Sequence, residues 1–193
     1  VLSEKYKHLM KGSEHADSIV IDGHKMMLMP TLTTALLFKN GDDAHRNFNQ
    51  RVEYLLHDTE EEDWYNGAKR TFECTKTMTS VYWYTILQVY GEKIFEDFID
   101  RQFDLAKDFI KILDDHPKFE YFLPPDSNIV CFSYLFEGSQ DEINHKNNSL
   151  RQLLLEDGTY YCVKTVLNKT QFLRVSLMNA TTEVSHLKEF IEF

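Results

Sequence analysis

Phe95, Phe98, Ile99, Ala106, Phe109, Ile110 and Leu113 fall on one face at helical spacing, with Glu, Asp, Lys and Arg between them. That pattern predicts a long amphipathic helix ending before Pro117, and its apolar face has to be covered. The residues that follow can cover it. Residues 128–136 read as a strand, and Ser139-Gln140-Asp141-Glu142 is a capping-box signature. It opens a helix through Leu150, Leu153 and Leu154 to a stop at Gly158. Tyr160 to Leu167 and Gln171 to Met178 read as two strands joined at Asn168-Lys169-Thr170, a hairpin. A last helix is expected near Thr181, with Glu183 in its first turn and Val184, Leu187 and Ile191 on its apolar side. A strand, a helix, two strands and a helix after the long helix predict a small α+β domain over residues 85–193.

Residues 1–84 read differently. Ile19-Val20-Ile21 is a β-branched run broken by Asp22-Gly23, which predicts a buried strand ending in a turn. His24 and Lys25 come just past its carboxyl end. A second extended stretch, Thr33 to Phe38, stops at the turn cluster Lys39-Asn40-Gly41-Asp42-Asp43. Two strands alone are marginal, so they are expected to belong to a larger sheet whose other strands this sequence does not obviously supply. From about His45 to Lys69 the periodicity fades, and residues 57–63 carry five acidic side chains around one Thr. An exposed, mobile loop is expected there.

Charge and cysteine usage narrow the function. Lys plus Arg number 21 against 31 Asp plus Glu, a formal charge of −10, which makes nucleic acid a poor partner. Cys74, Cys131 and Cys162 are far apart and lack CxxC spacing, so neither a disulfide framework nor a metal site is suggested and a cytoplasmic protein with reduced thiols is expected. No run approaches the roughly 20 apolar residues of a membrane span, so no membrane partner is expected. The chain opens Val-Leu-Ser-Glu-Lys without Met, which fits a fragment, a processed product or a trimmed chain.

The segment Ala16-Asp17-Ser18-Ile19-Val20-Ile21-Asp22-Gly23-His24-Lys25-Met26-Met27 carries a resemblance. It is similar to the cofactor-lysine motif of the group II pyridoxal-phosphate-dependent decarboxylases, the family of glutamate, aromatic amino-acid and diaminobutyrate decarboxylases. Thr33-Thr34-Ala35, the loop after Asn49, residues 67–78 and Phe172-Leu173-Arg174-Val175 continue it in the expected order. The resemblance implies that Lys25 carries pyridoxal 5'-phosphate as a Schiff base and that His24 lies near the cofactor phosphate. Asp22 and Gly23 depart from the Asn-Pro found at these positions in some relatives. An Asp facing a phosphate would be repulsive, so Asp22 is not expected to bind it. By local pattern alone, Lys25 also suits a solvated lysine after a turn, and His24 an ordinary turn histidine. A cofactor lysine must reach a neutral, nucleophilic state, and the end of a strand in an open α/β sheet is where such ligand sites lie.

Arg174 has an argument of its own. Leu173, Val175 and Leu177 form one apolar face of their strand while Phe172, Arg174 and Ser176 point the other way, so Arg174 can face a cleft. The resemblance implies that it binds the substrate α-carboxylate, for which a guanidinium is well suited; a surface strand arginine is the plain alternative. Tyr54 is similar in position to the family's mobile-loop tyrosine that returns a proton to the substrate carbon, with Tyr65 as its rival.

Together these imply an α/β fold of the fold-type I pyridoxal-phosphate class: the C-terminal part of the large domain over residues 1–84, then the small C-terminal domain. The implied activity is decarboxylation of an L-amino acid to its amine and carbon dioxide. The family's ring-stacking histidine, pyridine-pairing aspartate and main phosphate loop precede the His-Lys motif, and no substitute for them is found in this sequence. The N-terminal half is therefore expected as another chain or an upstream segment, with a homodimer as the catalytic unit. Two other readings stay open: an amine-to-aldehyde oxidation on the same fold, and a non-catalytic fragment or interaction module.

Overall fold

The computed structural model describes residues 2–48, 67, 71, 73 and 75–193. The chain divides into two units, Met10–Lys93 and a second made of Val1–Leu9 with Ile94–Phe193.

In the first unit, β1 (Ser18–Asp22) and β2 (Thr34–Phe38) pair antiparallel in the register Ser18 to Phe38 and Asp22 to Thr34. Both strands lie where the β-branched and alternating runs predict them, but β1 is not buried. Val20 is 64% exposed, and Leu36 and Leu37 of β2 are also exposed, because among the described residues the sheet stops at two strands. Residues 41–48, predicted as a turn cluster running into a loop, instead form α1 (Gly41–Phe48). Asn40 Oδ1 accepts the Asp42 N–H at 3.1 Å, and Asp42 and Asp43 occupy the first turn, where acidic side chains suit the helix dipole. The rest of the predicted mobile loop lies almost entirely outside the described residues. A further helix, α2 (Ser80–Tyr90), has no counterpart in the sequence reading, because Ser-Val-Tyr-Trp-Tyr-Thr-Ile-Leu-Gln-Val-Tyr has no polar face to set a period.

The second unit is built on α3 (Lys93–Asp115), the long helix expected from the 95–113 pattern, which stops before Pro117. Its face of Leu105, Ala106, Phe109 and Leu113 packs on a four-stranded antiparallel sheet in the order β3-β4-β6-β5. The strands are β3 (Phe119–Tyr121), β4 (Ile129–Tyr134), β5 (Val163–Leu167) and β6 (Thr170–Ser176). Phe109 and Phe132 of β4 meet edge to face, with ring centroids 5.3 Å apart. β3 was too short to read from sequence. Between β4 and β5 runs α4 (Gln140–Asp157), whose capping box is formed by Ser139 and Glu142 and which ends at Gly158 with φ +80°. The β5–β6 hairpin turns on Asn168 and Lys169, both at positive φ as a tight two-residue turn requires. The last helix, α5 (Val184–Glu192), starts slightly later than predicted, with Glu183 as its N-cap rather than in its first turn. Leu187 and Ile191 close the core.

Candidate active site

β1 ends on Asp22, and the chain then folds into a turn that presents His24 and Lys25. The turn is held by its own backbone: Lys25 N–H donates to Asp22 O at 3.2 Å, and Met29 N–H to Gly23 O at 3.0 Å. Gly23 fits because it has no side chain. A Cβ there would lie 2.8 Å from Cζ2 of Trp83, 3.0 Å from Cγ of Met29 and 3.1 Å from Cγ2 of Thr33. The return to β2 passes through Leu28 and Leu32, both with positive φ (57° and 69°), a conformation that costs a leucine about 1–2 kcal/mol. The segment after Lys25 is thus held in a strained shape.

Within the turn, His24 is fixed twice by one carbonyl, since its backbone N–H and its Nδ1 both lie 3.0 Å from Thr33 O. A carbonyl only accepts, so Nδ1 carries the hydrogen. Nε2 is then an acceptor in the neutral ring and a second donor once protonated. Lys25 has an exposed side chain whose Nζ donates to Asp22 Oδ2 at 2.5 Å. The other oxygen, Asp22 Oδ1, accepts from Thr34 Oγ1 at 3.0 Å, across the β1–β2 ladder. The bond from Lys25, then the bond from Thr34, hold the Asp22 carboxyl below the usual carboxylate range, so Asp22 is a carboxylate at neutral pH. From sequence alone Asp22 stands out only as an unsuitable phosphate ligand, not as the partner of Lys25. The signal was its i,i+3 spacing across the turn.

Arg174 lies in the other unit, on the central strand β6, opposite Cys131 of β4 and Val163 of β5. Leu173 and Leu177 are buried in the core, while Arg174 and Ser176 are half-buried on the other side of the strand. Phe172, on that same side, is buried too, against the ring of Phe122. Arg174 Nη2 donates to Ser176 Oγ at 3.3 Å, and Arg174 Nε is buried without a partner. The guanidinium therefore has donor capacity left for an anion. Arg174 and Ser176 also line a cavity of about 790 Å³, with Tyr160, Cys162 and His186. Burial pushes the Cys131 thiol up, and the nearby Arg174 charge pulls it partly back. Tyr54 and its rival Tyr65 lie outside the described residues. His24 and Lys25 are thus brought together on one turn, and Arg174 stands on the second unit.

The fold is of the α/β, fold-type I pyridoxal-phosphate class. The chain belongs to the pyridoxal-dependent decarboxylase family: residues 1–135 match the model of the pyridoxal-dependent decarboxylase conserved domain. It is 29% identical over 164 residues to an L-aspartate decarboxylase of Metarhizium robertsii, covering 82% of this chain and 33% of that protein. It is 28% identical over 188 residues to the aromatic-L-amino-acid decarboxylase of Manduca sexta, covering 95% and 35%. To the phenylacetaldehyde synthase of Arabidopsis thaliana it is 24% identical over 193 residues, covering 96% and 38%. The chain therefore spans 33–38% of the length of these relatives. The fold matches mouse CSAD in its apo form with a TM-score of 0.86 at 17% identity, over 99% of this chain and 41% of that one. It matches the Catharanthus roseus tryptophan decarboxylase in complex with L-tryptophan at 0.83 and 22% identity, over 98% and 40%. Pyridoxal phosphate is the cofactor of this family.

The donor set of the turn suits that cofactor. An exposed primary amine can be reached by an aldehyde carbon, and the adjacent imidazole, once protonated, offers a second N–H suited to a phosphate oxygen. Asp22 is already engaged by Lys25 and Thr34, so its charge is directed at the amine. Among the described residues no helix is long and apolar enough to cross a membrane.

Proposed function

We propose that this chain is the C-terminal part of a pyridoxal-phosphate-dependent decarboxylase that converts an L-amino acid to its amine and carbon dioxide. Lys25 is the lysine that carries the cofactor, His24 contacts the cofactor phosphate, Arg174 holds the substrate carboxylate, and Tyr54 is the proton donor. The observation that carries the reading is the exposed Lys25 amine at the carboxyl end of β1, inside the segment that matches the decarboxylase domain. When bound, pyridoxal phosphate supplies an electron sink for the pair left behind as the carboxylate departs. Lys25 has to give up its proton to act as a nucleophile, and the turn's Nδ1–carbonyl bond keeps His24 in a fixed orientation beside it. Arg174 restricts the carboxylate through donors that this chain leaves unmatched. Tyr54 delivers the one proton that the product carbon gains.

The catalytic unit is a homodimer of complete subunits in the cytoplasm, each completed by the N-terminal half of the family fold as another chain or an upstream segment. Two surfaces support that partner. Val81, Tyr84, Val89 and Tyr90 of α2 are exposed on a helix that is apolar all round, a kind that is ordinarily buried. The two-stranded sheet of β1 and β2 leaves Val20, Leu36 and Leu37 exposed.

A second reading within the family is aldehyde formation, favoured by the 24% identity over 193 residues to a phenylacetaldehyde synthase. One experiment serves both readings. The chain is assembled with an N-terminal half, reduced with borohydride and peptide-mapped, and the products are analysed. A cofactor adduct on Lys25 with amine and carbon dioxide is the expected result. Aldehyde and ammonia in place of amine would select the second reading, and an assembled enzyme with no adduct on Lys25 would sink both.

A further inference from the structure

Other acid–base pairs at i,i+3 spacing among the described residues include Glu4–Lys7, Asp43–Arg46, Glu73–Lys76 and Asp108–Lys111. The Asp22–Lys25 pair differs from them in how both of its ends are fixed. Asp22 sits in the β1–β2 ladder opposite Thr34, and its Oδ1 is bonded to the Thr34 hydroxyl. The Lys25 backbone is bonded to the Asp22 carbonyl. One carboxylate oxygen is thus spent on holding the carboxylate still, and the other faces the amine at 2.5 Å. A pair whose acid is already ordered loses less side-chain entropy on forming than two free side chains would.

We infer that Asp22 is the positioning residue of the cofactor lysine: fixed by Thr34, it holds the protonated Lys25 amine at the end of β1 whenever that amine is not bound to cofactor. This rests on the reading of Lys25 as the cofactor lysine. An amine attacks a carbonyl carbon only after losing its proton, so the Asp22 charge works against that step and favours the return of the released amine, which takes a proton from solvent and docks on the carboxylate. Among the described residues, the charged and titratable groups acting on Asp22 are Lys25 and His24 of the same turn; Thr34, facing from β2, is neutral. Asn at position 22 would keep the shape and an oxygen acceptor for the amine while removing the charge.

The test is trace acetylation of the 193-residue chain with acetic anhydride at one fixed alkaline pH, where the neutral amine displaces acetate from the anhydride. Peptide mapping then gives the ratio of labelled Lys25 to labelled Lys188, an exposed lysine of α5 that serves as internal reference. Asp22→Asn is expected to raise that ratio about two- to fivefold, the range an exposed ion pair supports. Thr34→Val, which frees the carboxylate without removing it, is expected to act in the same direction more weakly, and Asp22→Glu to restore part of the protection. An unmoved ratio in Asp22→Asn, which an equal rise at Lys188 would also give, would overturn the inference. Acetylation needs no cofactor, so an unmoved ratio counts against Asp22 alone. A missing cofactor adduct in the borohydride mapping counts against the functional reading alone.

Discussion

The carboxamide of Asn147 pairs with the main chain of Tyr134 as a neighbouring strand would. Its Oδ1 accepts the Tyr134 N–H at 2.9 Å, and its Nδ2 donates to the Tyr134 carbonyl at 3.1 Å and to the Ile143 carbonyl at 3.2 Å. Asn147 is fully buried, so these bonds fix α4 to the end of β4 in a place water does not reach. Asn147→Ala leaves a buried N–H and a buried carbonyl unpaired, each worth about 1–3 kcal/mol. A lower urea midpoint with an unchanged slope is expected. Asn147→Asp keeps the acceptor but loses the donor and buries a charge, and it is expected to be at least as costly.

Gly23→Ala tests the packing under the His-Lys turn. The added methyl would sit 2.8 Å from the Trp83 indole, with Met29 and Thr33 closing the other sides. Overpacking of this kind costs about 1–3 kcal/mol. Tryptophan fluorescence should report the displaced ring, and hydrogen exchange should rise at the His24 and Met29 amides, whose bonds to Thr33 O and Gly23 O close the turn.

Much of the second unit was legible because its elements alternate polar and apolar residues and carry their own stop signals. The α3 stripe, the Ser139–Glu142 box, Gly158 and the Asn168-Lys169 turn are of that kind. Elements without such contrast were not. α2 lacks a polar face, and Asn40-Gly41-Asp42-Asp43 is built of residues that serve turns and helix starts equally well. Asn147 sits in the polar stretch His145-Lys146-Asn147-Asn148, which reads as solvated, yet helix rotation turns that one residue inward. The site divided in the same way. His24 and Lys25 are neighbours in sequence, whereas the hold of Thr34 on Asp22 spans twelve residues and depends on strand register.

Tyr6 gives a pH prediction. Its hydroxyl donates to Asp104 Oδ1 at 2.6 Å and accepts from Lys107 Nζ at 2.8 Å, tying residues 2–9 to α3. Burial, then the bond to Asp104, pushes the Tyr6 phenol up to about 12. The folded chain therefore keeps this proton more tightly than the unfolded one. The stability it contributes is fully present below about pH 10, the ordinary phenol value, and is lost as pH rises towards about 12. Asp104 has the opposite sense: burial pushes its carboxyl up, but the bonds from Lys5 and Tyr6 outweigh that and leave it below its usual value. Its contribution is present at neutral pH and lost as pH falls through its lowered value. Tyr6→Phe should remove the alkaline loss at a cost of about 0.5–1.5 kcal/mol at neutral pH. Denaturation midpoints from acid to alkali would check both limbs.

Arg174 offers a prediction readable both in the bare chain and in a complete enzyme. Its guanidinium lowers the Cys131 thiol against the upward push of burial, so Arg174→Met should raise that thiol further and slow its alkylation at fixed pH. Arg174→Lys keeps the charge and should retain part of the rate. In the assembled enzyme, the same Met variant would remove the donors proposed to hold the substrate carboxylate. A hydrogen bond to a charged group is worth about 1.5–3 kcal/mol, so kcat/KM should fall by about 10- to 150-fold. Binding of the product amine, which has no carboxylate, should change little. Lys cannot reproduce the planar fork, so its rescue should be strong at Cys131 and weak in kcat/KM. If thiol reactivity changes as expected while substrate and amine are affected equally, Arg174 charges this face of the sheet without holding the carboxylate, and the cavity beside it must be assigned another role.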